Sequence, residues 1–122
     1  MSFDEMLVKV REARSSSELT RDFISGAKMA RNVHGDTLLH LAAAEGSDDA
    51  VNTLLDIGCD VDAQDHFGST AIQTAAWRGH RSIVERLLQA GAKTSIVDCT
   101  GFTVIENLRL LGKNDMEDLS GQ

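Results

Sequence analysis

The chain contains no proline and no tyrosine, and only one tryptophan and four phenylalanines in 122 residues. Lack of proline excludes a proline-rich linker or a polyproline ligand. With aromatics at 4%, the core must be aliphatic, built from Leu, Ile, Val and Ala. The two cysteines, Cys59 and Cys99, lie too far apart for a zinc site and too few for a disulfide framework, so both are read as free thiols in a reducing compartment. No apolar run approaches the roughly 18 residues of a membrane span. The opening stretch, Met1 to Met6, is acidic and lacks the basic-then-apolar order of a secretion signal. A soluble, cytoplasmic protein is the expectation.

Chemistry-bearing motifs are also missing. There is no H-E-x-x-H, no G-x-S-x-G, no phosphate-cradling glycine loop and no C-x-x-C. The acids and histidines are scattered, where a catalytic site needs a perturbed cluster in a cleft. An enzyme is not expected, nor a cofactor, nor a bound metal. The formal charge of −7 repels phosphate backbones and anionic headgroups, which disfavours nucleic acid and membranes as partners. It suits either plain solubility or a protein partner with a basic surface.

Hydrophobic residues make up 42% and charged residues 25% of the chain, ordinary proportions for one globular domain. Its organising feature is an internal repeat. Gly35-Asp36-Thr37 returns as Gly68-Ser69-Thr70 and as Gly101-Phe102-Thr103, each time after 33 residues. The same interval relates Ala42-Ala43 to Ala75-Ala76, Gly46 to Gly79, Leu54-Leu55 to Leu87-Leu88, Gly58 to Gly91 and Asp65 to Asp98. The Ala-Ala pairs are small enough to let neighbouring helices approach closely. Ile83, Val84, Leu87 and Leu88 recur at helical spacing and mark one buried face. Thr37, Thr70 and Thr103 precede apolar runs as N-caps would, and Gly58 and Gly91 stand where helices must end. No unit of this size could bury its apolar face alone, so stacking must supply the core.

This period and these residues resemble the ankyrin-repeat family, whose unit is a β-turn followed by two helices. The family's T-P-L-H-x-A reads Thr37-Leu38-Leu39-His40-Leu41-Ala42 and, more loosely, Thr70-Ala71-Ile72-Gln73-Thr74-Ala75. Its G-H reads Gly79-His80, and its I-V-x-x-L-L-x-x-G-A runs from Ile83 to Ala92. The resemblance implies an all-α fold, an ankyrin-repeat solenoid of antiparallel helix pairs joined by β-turn hairpin loops. Two full repeats, 32–64 and 65–97, are expected between degenerate caps at 1–31 and 98–122, the whole forming one domain. In the first cap, a helix over 3–14 opened by a capping box from Ser2 and Glu5 precedes a second over 18–24, with Leu19, Phe23 and Ile24 turned inward. In the last, a helix runs from Thr103 to Leu111, Gly112 falls in register, and 114–119 forms a short acidic helix. The proline that the family places at the helix start is Leu38, Ala71 and Val104 here, which predicts modest stability.

By the same resemblance, partners are bound along a concave surface made from the hairpin tips and the outward edge of each first helix. The residues so mapped are His34, Asp36 and Glu45 in the first repeat, with Val33 and Ala44 beside them. The second repeat contributes His66, Phe67, Ser69, Trp77 and Arg78, and the last Cys99, Thr100, Phe102, Leu110 and Leu111. Trp77 is the leading candidate: the buried face does not require it, and adjacent Trp and Arg are the residues enriched at interface hot spots. Its alternative is to fold down over Ala44. His40 and His80 are expected as backbone-bonding struts, and His34 and His66 as solvent-facing turn residues. Nothing basic neighbours Cys99, a plain surface thiol. The expected function is that of a monomeric protein-interaction module, an adaptor or inhibitor. The alternatives are an immunity protein that neutralises a bacterial toxin and a regulatory or structural subunit of a larger complex.

Overall fold

The computed structural model describes residues 2–13 and 16–110, the side chains of residues 16 and 110 excepted. The described residues form seven α-helices and no strand: α1 (Phe3–Glu12), α2 (Arg21–Met29), α3 (Leu38–Glu45), α4 (Asp48–Asp56), α5 (Ala71–Arg78), α6 (Arg81–Gln89) and α7 (Val104–Leu110). A single 3-10 turn, Ser16–Glu18, separates α1 from α2.

Helices α3, α5 and α7 stack side by side as one layer, and α4 and α6 form the layer behind them. Helix α1 caps the stack by packing on both α3 and α4. Close stacking is possible because Ala42, Ala43, Ala75 and Ala76 are at most 1% exposed and keep the first-layer helices near one another. The second layer closes on them with Val51, Leu54, Ile83 and Leu87, all fully buried; burial of an aliphatic side chain of this size contributes roughly 1.5–3 kcal/mol. Leu88, expected on the same buried face as Leu87, is only partly covered. The positions that lack the expected proline are themselves core: Leu38, Ala71 and Val104 are 0%, 1% and 3% exposed. There the side chain fills the interface between units.

All three first-layer helices open with the same reciprocal cap, each using a different third residue. Thr37 accepts from His40 N–H and gives its own N–H to His40 Nδ1. Thr70 does the same with Gln73, and Thr103 with Glu106. Two of the four orphan amides of each helix are thereby satisfied. Gln73 therefore stands in for histidine, because its amide oxygen accepts as Nδ1 does. The amides ahead of the helices are held by Asn32, Asp65 and Asp98. The Oδ1 atoms of Asn32 and Asp65 accept from His34 and Asp36 N–H and from Phe67 and Ser69 N–H, at 2.9–3.0 Å. Successive turns are tied by His66 N–H to His34 O (2.9 Å) and Cys99 N–H to Phe67 O (2.7 Å).

The N-terminal cap departs from expectation. Its second helix is Arg21–Met29, capped by Thr20, whose side chain accepts from Phe23 N–H. The expected span of 18–24 began too early because Leu19 is buried in the bend before the helix, where it mimics the start of a helical period. Gly26 and Ala27, expected beyond the helix end, lie inside it, with Ala27 buried. Ile24 is half-buried and Phe23 buried. At α1, Ser2 accepts from Glu5 N–H, and the Glu5 carboxylate accepts from the Ser2 hydroxyl in place of the backbone bond of a capping box. Helix α1 ends at Glu12; Leu111, Gly112 and the acidic helix at 114–119 fall outside the described residues.

Candidate functional site

The hairpin turns and the first-layer helices enclose an open groove of about 730 Å³. Its walls follow the repeat. The turns contribute the row Asp36, Ser69 and Phe102, and the helices contribute Leu41, Thr74 and Asn107. Ala44 and Trp77, one helical turn further along, close the far edge. Trp77 is 57% exposed and Phe67 55%, so neither is consumed by packing, and Trp77 does not lie buried over Ala44. Phe102, at 37% exposed, completes the apolar surface. Arg78 lines the groove beside Trp77.

Of the residues mapped from the sequence, Asp36, Ala44, Phe67, Ser69, Trp77, Arg78, Cys99, Thr100 and Phe102 line this groove, and Val33, His34, Glu45 and His66 do not; the Leu110 side chain and Leu111 lie outside the described residues. Glu45 turns to the N-terminal cap, where its carboxylate meets Arg11 at 2.8 Å. The His66 ring lies over Gly35, within 2.5 Å of where a Cβ would stand there, which leaves room only for glycine. The His34 ring sits 6.4 Å from that of Phe67 on the adjacent turn. Sequence mapping missed the row Leu41, Thr74 and Asn107. Its signal is present: Leu41 and Thr74 stand three residues before Ala44 and Trp77, hence on the same helical face.

The two strut histidines are bonded to the backbone. His40 Nδ1 accepts from Thr37 N–H at 3.1 Å, which puts the ring proton on Nε2, and Nε2 donates to Ser69 O across the stack at 2.7 Å. Gln73 Nε2 donates to Ile96 O at 3.0 Å and also reaches Phe102 O at 3.5 Å, the carbonyl one repeat beyond Ser69. His80 Nε2 lies 3.1 Å from Ala44 O.

The groove carries three carboxylates. Burial, and then contact with the Asp65 carboxyl, hold the Asp36 carboxyl above its ordinary range, partly offset by Asn32 and by the His40 ring. Asp98 behaves oppositely. Desolvation raises it, but donors from Thr100, Asn107 and the Phe102 backbone outweigh that and keep it below the usual range. Asp36, His40 and Asp65 each bring a potential ligand atom within 4.8 Å of the others. Both His40 ring nitrogens are already engaged, Nδ1 accepting from Thr37 N–H and Nε2 donating to Ser69 O. The residues therefore fit a metal poorly.

The sequence model described as ankyrin repeats (3 copies) matches residues 10–105. The chain belongs to the ankyrin-repeat family, whose repeats are generic protein–protein interaction modules and typically non-catalytic. A search of curated proteins finds no match. No helix among the described residues is long and apolar enough to cross a membrane.

Proposed function

We propose that this protein is a non-catalytic binding module, an adaptor or inhibitor that grips one protein partner through the groove between its turns and first-layer helices. The observation that carries the reading is the exposure of Trp77, Phe67 and Phe102 around a single concavity. Aromatic side chains left uncovered together mark contact surfaces, because each offers a large apolar area at low entropic cost. A basic partner surface fits the charge of −7, which would steer encounter by long-range attraction. Both thiols are free, Cys59 partly buried and Cys99 exposed, as suits a reducing cytoplasm. The proposed working form is a monomer with one domain of two full repeats between caps.

The test compares capture from source lysate by wild type, Trp77→Ala and Gln89→Ala, after circular dichroism shows all three folded. Gln89 lies exposed on α6, away from the groove. A partner lost only with Trp77→Ala supports the groove. Equal capture by all three removes the groove from consideration.

A further inference from the structure

Helix α2 turns only one of its faces into the fold. Phe23 and Ala27 are buried there, and the Lys9 ammonium of α1 lies 4.9 Å over the Phe23 ring. Arg21, Ser25 and Lys28 recur at helical spacing on another face. Together with Ser17, Leu19, Ile24 and Met29 they line an open cavity of about 550 Å³. None of these residues lines the groove of the turns and first-layer helices.

The two concavities differ in charge. Asp36, Asp65 and Asp98 line the groove with Arg78, whereas the charged residues lining the cavity are both cations, Arg21 and Lys28. Glu18 and Asp22 belong to the same segment but do not line it. Residues 1–31 hold six of the 12 basic residues and five of the 19 acidic ones, so the negative charge of the chain lies beyond the cap. Arg21 and Lys28 take part in neither the Arg11–Glu45 nor the Arg81–Glu85 ion pair. The Cys59 thiol near Lys28 is kept protonated by burial and offers it no countercharge. The rest of the lining is largely apolar: Leu19 is buried, Ile24 half-buried, and Met29 82% exposed. A methionine left in solvent beside a cavity is a contact that can adapt its shape to a guest.

We propose that this cavity is a second docking site, which takes an acidic amphipathic segment of another protein. An apolar side chain of the segment covers Leu19, Ile24 and Met29, and its flanking carboxylates meet Arg21 and Lys28. Charge complementarity selects this guest, because the cavity gathers cations on a chain whose net charge is −7. A nucleic acid would find two cations there and repulsion from the rest of the molecule. A free inorganic anion would leave Met29 uncovered. The chain then has two faces of opposite preference, as an adaptor that joins two proteins requires. The two sites share no lining residue, so this proposal stands or falls independently of the groove.

The full chain would be titrated into a fluorescein-labelled peptide that repeats Glu-Leu-Asp-Glu, with anisotropy as the readout. One control peptide carries Gln and Asn in place of the acids, and another carries Ser in place of Leu. The expected result is saturable binding that weakens as salt is added. The double variant Arg21→Gln/Lys28→Gln should bind about fivefold more weakly, as the loss of two exposed charge contacts implies. Met29→Gln should also weaken binding, and it reads the same site without altering charge. All three side chains are exposed, so thermal melts of these variants should match wild type. Trp77→Ala should bind the peptide as wild type does. Absence of saturable binding would overturn the proposal, as would undiminished binding by the double variant. Equal binding of the Gln/Asn peptide would remove the role of charge, and equal binding of the Ser peptide would remove the apolar contact; either result defeats the reading. Loss of binding in Trp77→Ala alone would place the peptide in the groove and leave the cavity without a guest.

Discussion

Replacing Gly46 by alanine separates two reasons for glycine that are usually confounded. Gly46 ends α3 with φ +77°, and an added Cβ would stand 2.8 Å from His80 Cε1 and 3.0 Å from Nδ1. Gly91 ends its unit with φ +90°, and a Cβ there meets nothing within 4 Å. Gly91→Ala should therefore cost only the left-handed backbone term, about 1 kcal/mol. Gly46→Ala carries that same term and must also displace the His80 ring. The displacement breaks the 3.1 Å contact between Nε2 and Ala44 O, worth about 1 kcal/mol for a typical hydrogen bond. The expected total is about 2–3 kcal/mol, or roughly 8–12 °C in midpoint for a domain of this size. Urea unfolding of Gly46→Ala, Gly91→Ala, His80→Ala and the double variant Gly46→Ala/His80→Ala completes the cycle. The coupling energy should be about 1 kcal/mol, since the bond can be lost only once. Equal costs for the two glycine variants, with additive behaviour in the double variant, would refute the view that His80 is a strut seated on Gly46.

Other outcomes follow from the same geometry. Asp36→Asn should be more stable than wild type at neutral pH, with the difference closing in acid. A carboxyl held above its ordinary range by burial and Asp65 is least costly when protonated, so wild type recovers stability as pH falls through the folded value; pH-dependent thermal melts give the readout. Iodoacetamide at pH 8 should modify exposed Cys99 quickly and leave Cys59 unmodified until the chain unfolds, because burial pushes the Cys59 thiol up to about 11 despite Lys28 nearby; mass spectrometry counts the adducts. Gln73→Leu should cost about 1–3 kcal/mol by leaving the buried Thr70 N–H and the Ile96 carbonyl without their partner, whereas Gln73→His, which restores the residue used by the preceding unit, should cost less. Denaturant midpoints compare them.

Much of the fold is legible in the sequence because a repeat states its own register three times. The interval of 33 residues aligns Thr37, Thr70 and Thr103, and each proves to be a helix cap. It also aligns the Ala-Ala pairs, which have no role except to let helices touch. The reading weakened where the repeat does. In the N-terminal cap no second copy disciplines the register, and Leu19, buried just ahead of the Thr20 cap, mimics the start of a helical period.

The site divides along the same line. Trp77, Phe67 and Phe102 were legible as candidates because large aromatics at variable positions of a repeat have no packing reason to be there. Glu45 looked equivalent to Arg78, and only the tertiary structure sends it to Arg11 of the cap. Sequence alone determined the kind of unit, its period and the local caps, since these depend on neighbours within a few residues. The stack decided that His40 is fixed as a donor to the next repeat and that Asp36 meets Asp65 across a turn. Those relations join residues 29 positions apart or cross from one unit to the next, and they exist only once one turn is laid against another.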